Sequence, residues 1–166
     1  MMRGSWAVLL VCTGLVSGCA GTTNWHQPDA AQASTSAGHA ARDRIKHRIV
    51  LEALGQVGRP YRYGGDTPTG FDCSGLVQYV FTQVGTRLPR STREQYKIGH
   101  KISVGKLEPG DLLFYRFAKG PVDHVAIYLG DGEAVHAPAT GRSVIVASVD
   151  LPYWQRHFVK AVRVLQ

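Results

Sequence analysis

The sequence predicts an α+β domain in which N-terminal helices pack on a mainly antiparallel sheet of five to six strands. Three observations point there. Apolar residues recur at helical spacing in the first half of the folded region. After Lys106 the pattern switches to period two, as in half-buried strands. Gly130-Asp131-Gly132 then separates two such runs, as the turn of an antiparallel hairpin does. Helices that precede strands, instead of alternating with them, follow the α+β order.

Each element has its own justification. Ile45, Ile49, Ala53, Leu54 and Val57 form one stripe and predict an amphipathic helix over 43–57. Its opposite face carries Arg42, Arg44, Lys46 and Arg48, and Gly58-Arg59-Pro60 ends it. Residues 61–70 are rich in Gly, Pro and Thr and read as a loop. A second helix follows over 74–84, with Asp72 or Cys73 at its N-terminus and Gly85 as its C′ residue. Ser91-Thr92-Arg93-Glu94 has capping-box spacing before a short third helix. Candidate strands cover 111–117, 124–129, 133–137, 144–147 and 159–164.

Composition narrows the function classes. Hydrophobic residues make up 44% of the 166 and charged residues 19%, which fits one globular domain and excludes a disordered chain. No apolar run reaches the roughly 18–20 residues of a membrane-spanning helix. The N-terminus has the form of an export signal. Met1-Met2-Arg3 starts it, residues 6–16 are apolar, and Leu15-Val16-Ser17-Gly18-Cys19 resembles a bacterial lipobox. The expected organisation is therefore a lipoprotein signal peptide at 1–18, a lipid-bearing Cys19, a flexible tether at 19–41 and a folded domain at 42–166. Ala20 after the cysteine, in place of aspartate, favours the outer membrane facing the periplasm in a Gram-negative source. The charge of +7 is scattered, so it fits loose attraction to an anionic wall or membrane surface and not a nucleic-acid site.

Of three cysteines, Cys12 leaves with the signal and Cys19 is capped, so Cys73 is the one remaining thiol. It stands where a loop turns into a helix. Backbone N–H groups there point outward and the helix dipole favours negative charge, which lowers a thiol pKa and offers an oxyanion hole. A nucleophilic cysteine needs a base, usually histidine. Strand pairing that sets apolar against apolar puts Ile127 opposite Val135, which leaves His124 and His136 on one face as diagonal neighbours. That register calls for a three-residue loop, Gly130-Asp131-Gly132, with Gly132 left-handed. A two-residue turn would put the histidines on opposite faces.

Tyr61-Arg62-Tyr63-Gly64-Gly65, Asp72-Cys73-Ser74-Gly75, Leu88-Pro89-Arg90-Ser91-Thr92, Pro109-Gly110-Asp111-Leu112 and Asp123-His124-Val125 follow one another in this order. The series resembles the NlpC-type cell-wall cysteine peptidases, and the lipobox and tether resemble their lipid-anchored murein endopeptidase branch. The resemblance implies a papain-like fold, with Cys73 as nucleophile, His124 as base and His136 orienting the His124 ring. It implies Tyr61 as an oxyanion-hole residue and Asp72, Ser74, Arg90 and Ser91 as groove-lining residues. Asp72 also reads as a plain helix N-cap. The implied reaction is amide hydrolysis in peptidoglycan stem peptides or cross-links, with the D-alanyl–diaminopimelate bond favoured and the D-glutamyl–diaminopimelate bond as the alternative. The protein is expected to be a monomer, with no cofactor and no metal. Rival readings are a zinc site, a non-catalytic wall-binding module and an acyltransferase; the lack of CxxC or HExxH spacing argues against zinc.

Overall fold

The computed structural model describes residues 30–165. The expected signal peptide, the expected lipid-bearing Cys19 and the expected tether up to residue 29 lie outside the described residues. Helix α1 (Ala30–Leu54) begins well before residue 43, where apolar spacing placed its start. Residues 30–41, assigned to the tether on composition, are helical. Alanine is the strongest helix former, and a lack of large apolar side chains argues against burial without arguing against a helix. Residues 37–40 are accordingly exposed. Ile49 and Ala53 carry the buried stripe, whereas Leu54 and Val57 are exposed because the helix ends at Leu54.

A short hairpin, β1 (Asp66–Thr67) and β2 (Gly70–Phe71), leads into α2 (Cys73–Gln83), and α3 (Thr92–Gln95) follows. A Cβ on Gly75 would collide with the Gly65 carbonyl. Glycine therefore lets the loop at 61–72 lie flat on the first turn of α2.

The remaining strands are β3 (His100–Ile102), β4 (Leu112–Tyr115), β5 (His124–Gly130), β6 (Glu133–His136), β7 (Ile145–Ser148) and β8 (Phe158–Arg163). Helix α4 (Pro152–His157) precedes β8. They form one antiparallel sheet in the order β3-β8-β4-β5-β6-β7. Val162, Leu112, Ile127, Val135 and Val146 pair successively across it. This row joins Ile49, Leu76 and Val80 of α1 and α2 in the main core. The alternate row, with Ala161, Leu113 and Ala126, packs with Tyr115 and Trp154 in a second cluster. Both faces of the central strands are covered, which is why β4 is buried along its whole length.

The β5–β6 hairpin keeps the predicted register, Ile127 opposite Val135, but not the predicted turn. Gly130 pairs with Glu133, leaving Asp131 and Gly132 as a two-residue turn with φ of 49° and 75°. Leu129 is the unpaired residue between Tyr128 and Gly130. That bulge absorbs the one-residue shift the shorter turn would impose, so both histidines stay on one face.

The Pro109-Gly110-Asp111 block anchors the sheet to α1. Arg163 of β8 binds Asp111 at 2.8 Å and Glu108 at 3.0 Å, and Glu108 binds Lys46 of α1 at 2.7 Å. Among the described residues, no helix is long and apolar enough to cross a membrane.

Candidate active site

An open groove of about 740 Å³ runs over the N-terminus of α2. Tyr61, Tyr63 and Gly64 form one wall, Arg90 to Arg93 another, and the β4–β5 loop the rest, with Asp72, Cys73 and Ser74 between them. Of the residues expected to line a groove, Tyr61, Asp72, Ser74, Arg90 and Ser91 all do so.

Cys73 is the first residue of α2 and is half-buried. Its sulfur lies 3.5 Å from the Thr92 hydroxyl and 4.0 Å from the Asp123 carbonyl. Burial pushes the thiol above its ordinary pKa, against hydrogen bonds from Thr92 and from the Val125 and Ser74 N–H groups that pull it down. The expected net lowering at a helix start is thus overridden by desolvation. The thiol touches the backbone on both sides of His124, at the very start of β5.

Asp72 caps α2, accepting from the Gly75 N–H at 2.7 Å. It also accepts from the Gly64 N–H at 3.0 Å and the Ser74 hydroxyl at 3.1 Å. Arg90 grips it with two nitrogens, at 2.7 and 2.9 Å, and donates to Ser74 Oγ at 3.0 Å. Burial alone would raise the Asp72 carboxyl; Arg90 and these donors outweigh it and hold the group below the usual range. Asp72, Ser74 and Arg90 therefore bind one another and fix the groove floor. Ser91 caps α3 in a full capping box with Glu94, its hydroxyl 2.7 Å from the Glu94 carboxylate. The Tyr61 phenol is pushed up by burial, then by nearby Cys73 and Asp72.

His124 and His136 lie behind the groove and are buried. Their rings are parallel within 2°, and Nε2 of His124 meets Nδ1 of His136 at 3.1 Å. Both pack with the second cluster: Trp154 stacks on His136 at 3.8 Å, and Tyr115 lies 5.8 Å from His124. The thiol and the imidazoles thus reach the same strand end from the two faces of the sheet. Burial lowers His124 to about 4, slightly opposed by Asp123, and burial with the neighbouring His124 lowers His136 to about 2. Both rings are neutral near pH 7.

Two site residues carried no sequence role. Thr92 entered only as part of the capping box, and Trp154 not at all. Their contacts to Cys73 and His136 join segments far apart in the chain, which no local pattern encodes.

A lone thiol at a helix start, set against a strand carrying paired histidines, invites comparison with known proteins. The model of the NlpC/P60 family matches residues 58–163. The chain belongs to the NlpC/P60 family. The match contains every residue expected at the site. Murein DD-endopeptidase MepH of Escherichia coli is 39% identical over 82% of this chain and 53% of its own length. Gamma-DL-glutamyl hydrolase of Bacillus subtilis is 41% identical over 78% of this chain and 32% of its own. A crystal structure of an NlpC/P60 family protein from Bacillus cereus superposes with a TM-score of 0.70 at 32% identity, covering 73% of this chain and 40% of that one. The chain thus spans a third to a half of the length of these curated relatives. The α+β, papain-like architecture of NlpC/P60 domains is the one seen here.

Proposed function

We propose that this domain is a cysteine endopeptidase acting on peptidoglycan. The observation that carries the reading is the Cys73 sulfur, open to a groove and seated against the backbone that flanks His124, whose ring is held by His136. Cys73 is the nucleophile, His124 the base and later the acid, and His136 a positioning residue.

The His124–His136 bond occupies Nε2 and leaves Nδ1 of His124 for the thiol proton. Nε2–H of His124 then donates to His136, whose own proton sits on Nε2. That atom is buried with no hydrogen-bond partner among the described residues, so none of them sets a carboxylate behind His136. Sulfur attacks the amide carbon, and the oxyanion is met by the Cys73 N–H and the Tyr61 hydroxyl. The C–N bond breaks as His124 protonates the leaving amine, and water then hydrolyses the thioester.

The relatives' names support both a DD-endopeptidase and a γ-glutamyl hydrolase reading. We favour the D-alanyl–diaminopimelate cross-link, with the D-glutamyl–diaminopimelate bond as the alternative. Anchoring through a lipid on Cys19, with this domain acting from the envelope membrane, completes the proposal. Digestion of purified sacculi with the soluble domain, followed by mass spectrometry, tests it. Release of cross-linked muropeptides as monomers supports the favoured bond, and fragments beginning with diaminopimelate support the alternative. Intact sacculi would overturn the enzyme reading.

A further inference from the structure

Beside the groove, the surface carries aromatic rings that the proposed chemistry does not use. Phe117 and Tyr153 are 37% and 52% exposed. Their rings stack at 5.4 Å and 19°. His157 completes the group, 4.6 Å from Phe117 and 5.2 Å from Tyr153. Buried Trp154 stands edge-on behind both.

These rings are held in place. Nδ1–H of His157 donates to the Tyr153 carbonyl at 2.7 Å. The N–H groups of Phe117 and Ala118 each donate to the Asp123 carboxylate at 2.9 Å. Exposed rings fixed in one stack offer preformed apolar area that a ligand can cover with little ordering cost.

We propose that Phe117, Tyr153 and His157 form a platform for the glycan strand of the peptidoglycan whose stem peptide lies in the groove. This rests on the murein reading above. A pyranose has a flat face rich in C–H groups, which packs on aromatic faces while its hydroxyls stay in water. The platform is shallow and solvent-facing, and it offers ring faces instead of a pocket. The loop that carries Phe117 also supplies Ala118 and Lys119 to the groove. Groove and platform are therefore continuous, and a polymer with peptide bonded to sugar spans both. A second copy of the chain is a poorer fit, because stable dimers bury about 800 Å² on each partner, far more than a few rings supply.

The test compares one cross-linked stem peptide with and without its disaccharides. The ring contacts of Tyr153 are with Phe117, Trp154 and His157, which spares the histidine pair. Tyr153→Ala is expected to raise KM about tenfold for the sugar-bearing substrate alone, the loss of one good stacking contact. Tyr153→Phe should restore it. Peptide-free glycan chains titrated into the wild-type domain should shift the amide resonances of Phe117, Tyr153 and His157. Equal KM changes on both substrates, no change on either, or no glycan-induced shift would overturn the platform. So would self-association that Tyr153→Ala abolishes. If the wild type cleaves neither substrate, the murein reading fails, and the glycan titration still decides the platform.

Discussion

The two sides of the start of β5 treat charge in opposite ways. On the helix side, Asp72 is ionised and held by a two-pronged arginine, two backbone N–H groups and a hydroxyl. The Cys73 sulfur shares that environment of donors. On the aromatic side, two imidazoles sit among Tyr115, Phe117 and Trp154, and among the described residues no carboxylate is bonded to either ring. One side pairs the Asp72 charge with donors; the other penalises positive charge. The resting site therefore holds a neutral thiol on one side and neutral imidazoles on the other. In the proposed mechanism, charge separates only when a substrate in the groove accepts the sulfur, which would keep the half-buried thiol from reacting indiscriminately.

The largest effect comes from removing the reacting group on either side. Cys73→Ala and His124→Ala should each lower kcat by about 10⁴-fold or more, because members of such a unit act together. Circular dichroism should show Cys73→Ala folded. Turnover within tenfold of wild type in either variant would break the assignment. The neutral resting state is checked separately by alkylation. The rate with iodoacetamide should keep climbing with pH past 9 without a plateau, since burial raises the thiol above its ordinary value of 9.0. A plateau reached near pH 7 would mean an ion pair instead.

Acid separates the two sides by their order of failure. The folded pKa of His124, about 4, lies below its unfolded 6.5, so below pH 6.5 the unfolded chain binds the proton first. Stability is lost from there down to about pH 4, and His136 extends the loss towards 2. Asp72 has the opposite consequence for onset. Its folded pKa lies below the unfolded 3.8, so its contribution stays whole until the pH falls to about that value. Urea midpoints from pH 7 downward should therefore fall before Asp72 titrates. His124→Gln should flatten the upper part of that curve and leave the lower part. An unchanged upper slope would place the acid sensitivity elsewhere.

The same contrast explains what the sequence could and could not reveal. The shared face of His124 and His136 was readable because Val125, Ile127 and Val135 leave one register that pairs apolar with apolar. The turn was misjudged because an Asp-Gly pair with positive φ prefers two residues, and a bulge at Leu129 hides the difference. The caps at Asp72 and Ser91 were readable from spacing within one helical turn. Arg90 was readable as a groove residue, but not as the partner of Asp72, since nothing local links positions so far apart. Strand β3 was invisible because His100 and Lys101 leave this edge strand polar and exposed. The raised thiol pKa was out of reach for a related reason. A helix start is a local feature, whereas burial is set by Thr92 and the β4–β5 loop closing over the sulfur.

The smallest effect concerns the helix side alone. Asp72 does two jobs that two substitutions separate. Asp72→Ala removes the cap acceptor and the charge, leaving Arg90 and the Gly64 and Gly75 N–H groups without their partner. Asp72→Asn keeps an oxygen for the cap but loses the charge and the second acceptor, which holds the Gly64 N–H and one Arg90 nitrogen. Loss of an N-cap costs about 0.5–2 kcal/mol. The Arg90 pair is partly exposed, with the Arg90 side chain 36% accessible, so solvent screening limits its own share to a fraction of about 1 kcal/mol. Asp72→Asn should therefore shift the urea midpoint less than half as far as Asp72→Ala. Both should raise KM more than they lower kcat, since the groove floor loosens while Cys73 keeps its place on α2. Equal losses of stability in the two variants would mean that the charge, and not the cap, holds this side together.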